Sequence, residues 1–171
     1  GIDIGYQTVK IVAMRHGFFG ARLLGASILP IPQDSVSKAG LNHPDELAKA
    51  IRSMRECAVE VLIIGPEAYN RMHAKMGNVN TMLGWGHARA IENVLARIDP
   101  DKTGKICSRA ISDQFGNKRI IEKALMERGK TIELEQRHRA EEDLAVAAAS
   151  IVARANFVNG LQTMGKKWKI P

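Results

Sequence analysis

Aromatic residues are scarce in this chain: Phe, Trp and Tyr together make up 5% of its 171 residues. Its core must therefore be built mainly from aliphatic side chains. Cysteine is almost as rare. Cys57 and Cys107 stand alone, with no CxxC or CxxH spacing around either, which excludes a zinc ribbon and a dithiol redox motif and leaves two buried thiols as the expectation. Acids are in deficit, 18 against 25 Lys and Arg, giving a formal charge of +7. That balance points to a polyanionic partner. No unbroken apolar run approaches the roughly 20 residues of a bilayer span. No charged-then-apolar segment opens the chain, so the expectation is a cytoplasmic protein with no membrane association. Repeats and low-complexity stretches are missing as well, and a single domain over 1–171 is expected.

What is present is pattern. Ile2, Ile4, Val9, Ile11 and Ala13 alternate as a strand does, and 18–30 reads as a second strand element closed by Pro30 and Pro32. Residues 33–43 have loop composition. Pro44 then opens a helix to residue 55, with Leu47, Ile51 and Met54 on one side. The run 59–65, VEVLIIG, predicts a strand buried on both faces. Helices are expected over 66–76, 78–98 and 118–127, a turn at 99–104, and strands over 106–112 and 131–134. Strands first, followed by alternating strands and helices, describe an α/β fold: a mixed sheet covered by helices.

The chain is organised around 135–156. His138 and Arg139 lead into Glu141, Glu142 and Asp143, then an alanine-rich run that ends at Arg154. Acids in a first turn and a cation in the last suit a helix dipole, so a buried helix is expected with the acids at its start. Upstream, Asp113 follows a short apolar segment and precedes Gln114, Phe115 and Gly116. An acid at a strand end and another at a helix start are a means of placing two hard oxygen ligands on one divalent cation. Basic residues gather at 118–119, at 137–139 and around Trp168, where an indole among lysines suits a base while the lysines meet phosphates. The plainer reading of that last cluster is a solvated tail.

Three segments, GWGHARAIENVL, SDQF and QRHRAEEDLAVAAASIVAR, occur in that order, and over about 59–157 the chain resembles the type 3 ribonuclease H family. The resemblance implies a ribonuclease H-like mixed sheet flanked by helices. It also implies an endonuclease that cleaves the RNA strand of RNA/DNA hybrids with Mg²⁺ or Mn²⁺. The catalytic acids it implies are Asp3, Asp113 and Glu141. Asp143 stands beside Glu141 as a ligand, and the choice between those two stays open. The hybrid-binding candidates are Lys10, Asn78, Asn80, Gln114, Arg137, His138, Arg139, Lys166, Lys167 and Trp168. For Asn78 and Asn80 the plainer role is capping the helix that follows. For His138 it is a solvated loop position, and for His87 a packing or groove residue.

The sequence departs from the family at its start. Ile4 stands where a second acid belongs, and Tyr6-Gln7-Thr8-Val9-Lys10 replaces a glycine-rich segment. An isoleucine offers no oxygen to a cation, so impaired metal binding and catalysis are implied. The segment GIDIGYQTVKIV also resembles the first phosphate loop of actin-like pilus-assembly ATPases. Two other readings therefore stand beside the nuclease: an actin-like nucleotide-binding domain, and a catalytically silent chimera on the shared fold.

Overall fold

The computed structural model describes residues 2–4, 8–17, 20–30, 36–37, 40–54, 58–98 and 107–169, with side chains from residue 42 onward. The chain divides into two compact units, Gly1–Cys57 with Ala147–Pro171, and Ala58–Val146. Cys57 and the expected turn at 99–104 lie outside the described residues.

In the first unit the alternating N-terminal residues form an antiparallel meander of β1 (Ile2–Ile4), β2 (Thr8–Gly17) and β3 (Gly20–Pro30). Its register sets Asp3 opposite Lys10 and Ile4 opposite Val9. A two-residue pair follows, β4 (Val36–Ser37) with β5 (Gly40–Leu41), inside the stretch expected to be loop. Helix α1 (Pro44–Ser53) starts on a proline, which loses nothing there because a first-turn N–H has no partner inside the helix. Leu47, Ala48 and Ile51 form its buried side.

The second unit holds α2 (Pro66–Met76), α3 (Val79–Arg97), β6 (Arg109–Asp113), α4 (Arg119–Ala124) and β7 (Glu133–Arg137). Strands β6 and β7 pair in parallel, from Arg109 opposite Glu133 to Asp113 opposite Arg137. Ala88, Ile121, Leu125 and Leu134 form the buried core, joined by Ile91, Ala110, Phe115 and Ala124. Helices α3 and α4 approach closely at Gly84, where a Cβ would stand 2.5 Å from Ile120 Cγ2 and 3.0 Å from its carbonyl oxygen. The architecture is mixed helix and sheet, as the pattern predicts.

Two further elements differ from expectation. Residues 59–65 form no strand, and Ile63 is 73% exposed. This stretch is tied to α3 by a side chain: Arg97 Nη1 donates to the Val59 carbonyl at 2.9 Å and to Glu60 Oε1 at 2.8 Å. A β-branched apolar run becomes a strand only when a neighbour supplies the ladder. The second difference lies in 135–156. Residues 135–137 belong to β7, Glu141 and Glu142 sit on a 3-10 turn (Ala140–Glu142), and the helix α5 (Leu144–Trp168) begins after the acids and runs on well past Asn156.

Helix α5 is long and mainly apolar, although it holds no unbroken apolar run of bilayer-spanning length. It has 25 residues and contains an 18-residue window of mean hydropathy 1.4, long and apolar enough by length and composition to cross a membrane. Single polar and charged residues interrupt the sequence without interrupting the helix. Within the first unit Ile151, Val152 and Ala155 are buried. Asn156 Oδ1 accepts from Arg52 Nη2 at 3.2 Å, and Asn159 Nδ2 donates to Asp45 Oδ1 at 2.8 Å, so α5 lies along α1.

Candidate functional site

Asp113 is the last residue of β6 and is exposed. Two bonds hold its backbone: Gln114 N donates to the Arg137 carbonyl at 3.1 Å, continuing the parallel ladder, and Gln136 Nε2 donates to the Asp113 carbonyl at 3.4 Å. Its carboxylate Oδ1 accepts from Ala140 N at 3.4 Å. Ala140 is fully buried and opens the 3-10 turn, and Glu141, the next residue, is exposed. The strand end and the turn are thus brought together with Asp113 and Glu141 both facing solvent. The turn is entered through Arg139, whose φ of 53° is a left-handed conformation disfavoured for a side-chain-bearing residue.

Asp143 has a different occupation. Its Oδ1 accepts from Ala145 N at 2.9 Å, which makes it the cap of α5, and its Oδ2 lies 3.9 Å from Arg137 Nη2. Arg137 also meets Glu135 at 3.3 Å, and Glu135 meets Arg109 at 3.2 Å. A carboxylate already satisfied by a cap and a guanidinium has few lone pairs to offer a cation. The two acids thus differ in their surroundings: Asp143 caps α5, and Glu141 stands exposed on the 3-10 turn.

A second layer supports the SDQF turn from α3. The His87 ring stacks on Phe115, centroids 5.0 Å apart at 20°, and burial pushes its imidazole below the ordinary value of 6.5. Gly116 lies against Asn80, where a Cβ would be 3.6 Å from Nδ2. Asn78 caps α3, its Oδ1 accepting from Thr81 N at 2.8 Å and from Thr81 Oγ1 at 3.0 Å. His87 is therefore a packing residue, and Asn78 a cap, as their surroundings in the sequence suggest. Gln114, Arg137, His138 and Arg139 are exposed or half-exposed around Asp113. Ser112 Oγ is buried next to it with no hydrogen-bond partner among the described residues.

Sequence reasoning passed over Glu92. It is 7% exposed, yet its Oε1 accepts from Gly129 N at 2.6 Å and its Oε2 from Arg128 N at 3.3 Å. This carboxylate closes the turn that leads into β7. Glu92 stands 36 and 37 residues before the amides it binds, and nothing local in the sequence marks such a pairing.

Asp3 and Lys10 lie opposite each other in the first unit, and their side chains fall outside what the structure describes. Lys166, Lys167 and Trp168 end α5 and are exposed; the expected solvated tail is helical through Trp168. Among the described residues no group of three His, Cys, Asp or Glu side chains is arranged to hold a metal ion. Cys107 is a free, half-buried thiol whose Sγ lies 3.4 Å from the Arg109 carbonyl.

No protein-family model matches the chain. Among curated proteins it is 38% identical over 126 residues to the ribonuclease HIII of Protochlamydia amoebophila, a match covering 74% of this chain and 39% of that protein. The ribonucleases HIII of Chlamydia muridarum and Chlamydia felis are 41% and 37% identical over 125 residues, each covering 72% of this chain and 39% of the relative. The chain thus spans about two-fifths of the length of these relatives. The matched stretch is longer than 59–157, so the likeness reaches beyond the three motifs that first suggested it.

Proposed function

We propose, from the premise that about three-quarters of this chain is a type 3 ribonuclease H segment, that the Asp113 end of the second unit serves hydrolysis of the RNA strand in RNA/DNA hybrids. The observation that carries the reading is the Asp113–Ala140 contact, which sets an exposed aspartate beside the turn bearing an exposed glutamate. The donor set suits Mg²⁺ or Mn²⁺, since hard cations take carboxylate oxygens. Asp113 and Glu141 are the residues of the second unit that would hold such an ion; Asp3 is an acid of this set by the family resemblance alone. Asp143 fits poorly, because α5 and Arg137 already use it. When bound, divalent ions neutralise charge at the phosphoryl group and activate water.

The chain's own residues supply the rest. Arg137 and Arg139, exposed around the acids, would meet the phosphate backbone, and Gln114 follows Asp113 at the same strand end. His87 and Phe115 hold the turn in place. By the same resemblance Ile4 stands where a further carboxylate belongs, so the activity is expected to be low.

The test is cleavage of a labelled RNA/DNA hybrid with Mg²⁺ or Mn²⁺. Asp113→Asn and Glu141→Gln should each abolish it, Asp143→Asn should retain most of it, and Ile4→Glu should raise it. Equal loss from Asp143→Asn and Glu141→Gln would overturn the assignment of Glu141. Cleavage unaffected by Asp113→Asn would overturn the site.

A further inference from the structure

Helix α5 has two apolar sides, and among the described residues the first unit uses one of them. Ile151, Val152 and Ala155 are buried, and Asn156 and Asn159, from the same side, bind Arg52 and Asp45 of α1. At about 100° per residue the opposite side is centred on Phe157. Along it, Phe157, Leu161, Met164 and Trp168 follow i, i+4, i+7 and i+11, a single stripe roughly 16 Å long. Phe157 is 62% exposed, Leu161 48% and Trp168 63%. The helix of a water-exposed surface would carry polar residues there.

Charge identifies what suits this face. From Leu144 to Trp168 the helix contains no acid; Arg154 and Lys167 flank the stripe, Lys169 follows directly, and Lys166 lies on the opposite side. We propose that this face docks on an anionic lipid surface, the helix lying in the interface with its stripe at the acyl boundary and the terminal lysines among the headgroups. Trp168 then sits where an indole is favoured, at the boundary between apolar and charged layers. Two copies of this chain would bring two all-cationic helices together, which opposes self-pairing. A nucleic-acid strand offers stacking to Trp168 and leaves Leu161 and Met164 without an apolar partner. Crossing the bilayer would require Asn156 and Asn159 to abandon α1 and would carry Arg154 into hydrocarbon. The proposal concerns the first unit and does not depend on the nuclease reading.

The experiment uses the full chain with Trp85→Phe, so that Trp168 is the sole indole, and phosphatidylcholine vesicles with or without phosphatidylglycerol. Co-sedimentation with the anionic vesicles and a blue shift of Trp168 emission are expected. Pure phosphatidylcholine should bind at least about tenfold more weakly, as should the double variant Phe157→Glu, Leu161→Glu, checked as folded by circular dichroism. Equal binding by the double variant, or none to anionic vesicles, overturns the proposal. So does a Trp168 response to RNA/DNA hybrid without one to vesicles, or a dimer in solution whose formation buries Trp168.

Discussion

Glu92 and Glu141 are the same chemical group in opposite circumstances. Glu92 lies inside the second unit, 7% exposed, with both oxygens engaged by backbone amides of the turn before β7. Glu141 sits at the rim, exposed on a short 3-10 turn beside Asp113. A buried carboxylate is tolerable only when its lone pairs are satisfied, and once satisfied it fastens whatever it binds. An exposed one costs little and keeps its lone pairs for a ligand. Glu92 thus fastens a turn of the second unit, and Glu141 remains exposed to solvent.

The largest effect should come from the interior. Glu92→Ala removes the acceptor for two amides, one of them buried, and is expected to cost about 2–3 kcal/mol of stability by urea denaturation. Glu92→Gln keeps one carbonyl oxygen for Gly129 and should cost less. If Glu92→Ala leaves the urea midpoint unchanged, the contrast between interior and rim fails at its first step. Gly129 bears on the same contact: a Cβ there would stand 3.0 Å from Glu92 Oε1 and 2.7 Å from Leu125 Cδ2.

The rim itself separates into a structural and a free acid. Asp143→Ala deletes the cap of α5 and should cost about 1 kcal/mol. Glu141→Ala should change stability by less than about 0.5 kcal/mol, as at an exposed position with no partner among the described residues. The two should exchange rank when Mn²⁺ is added. Binding to the native state alone raises the melting temperature, and Glu141→Ala should lose most of that rise while Asp143→Ala retains it. The same ranking with and without Mn²⁺ would mean that both acids are structural.

How much of this could be read from residues alone depends on whether the cause was local. Pro44, Pro66 and Asn78 mark helix starts through their own backbone chemistry, and each does so in the structure. Asp113 was legible as a strand-end acid because a short apolar run leads into it. Residues 59–65 were read as a strand because their composition is that of a buried one, but the ladder partner is a tertiary fact. The same holds for Glu92, whose amides lie far along the chain, and for Asp143, whose role turns on where α5 begins. Helical periodicity showed that α5 has apolar residues. It did not show that the helix runs to Trp168 with a second apolar side outward.

The smallest expected effect lies at the seam between interior and rim, where His87 stacks on Phe115. Burial holds this imidazole below its ordinary value of 6.5, so the folded state prefers it neutral. Below pH 6.5 the unfolded chain takes up a proton that the folded chain resists, which shifts the balance toward unfolding. The stability tied to a neutral His87 is thus fully present above 6.5 and is lost as pH falls through that value toward the lower folded one. His87→Phe keeps an aromatic ring against Phe115 and removes the titration. The parent's melting temperature should therefore fall more steeply than the variant's between about pH 7 and pH 5. The other histidines and the carboxylates contribute equally to both slopes, so the difference isolates this ring. Parallel slopes would place His87 in solvent-like surroundings, and the Asp113 turn would lose the packed support that joins it to α3.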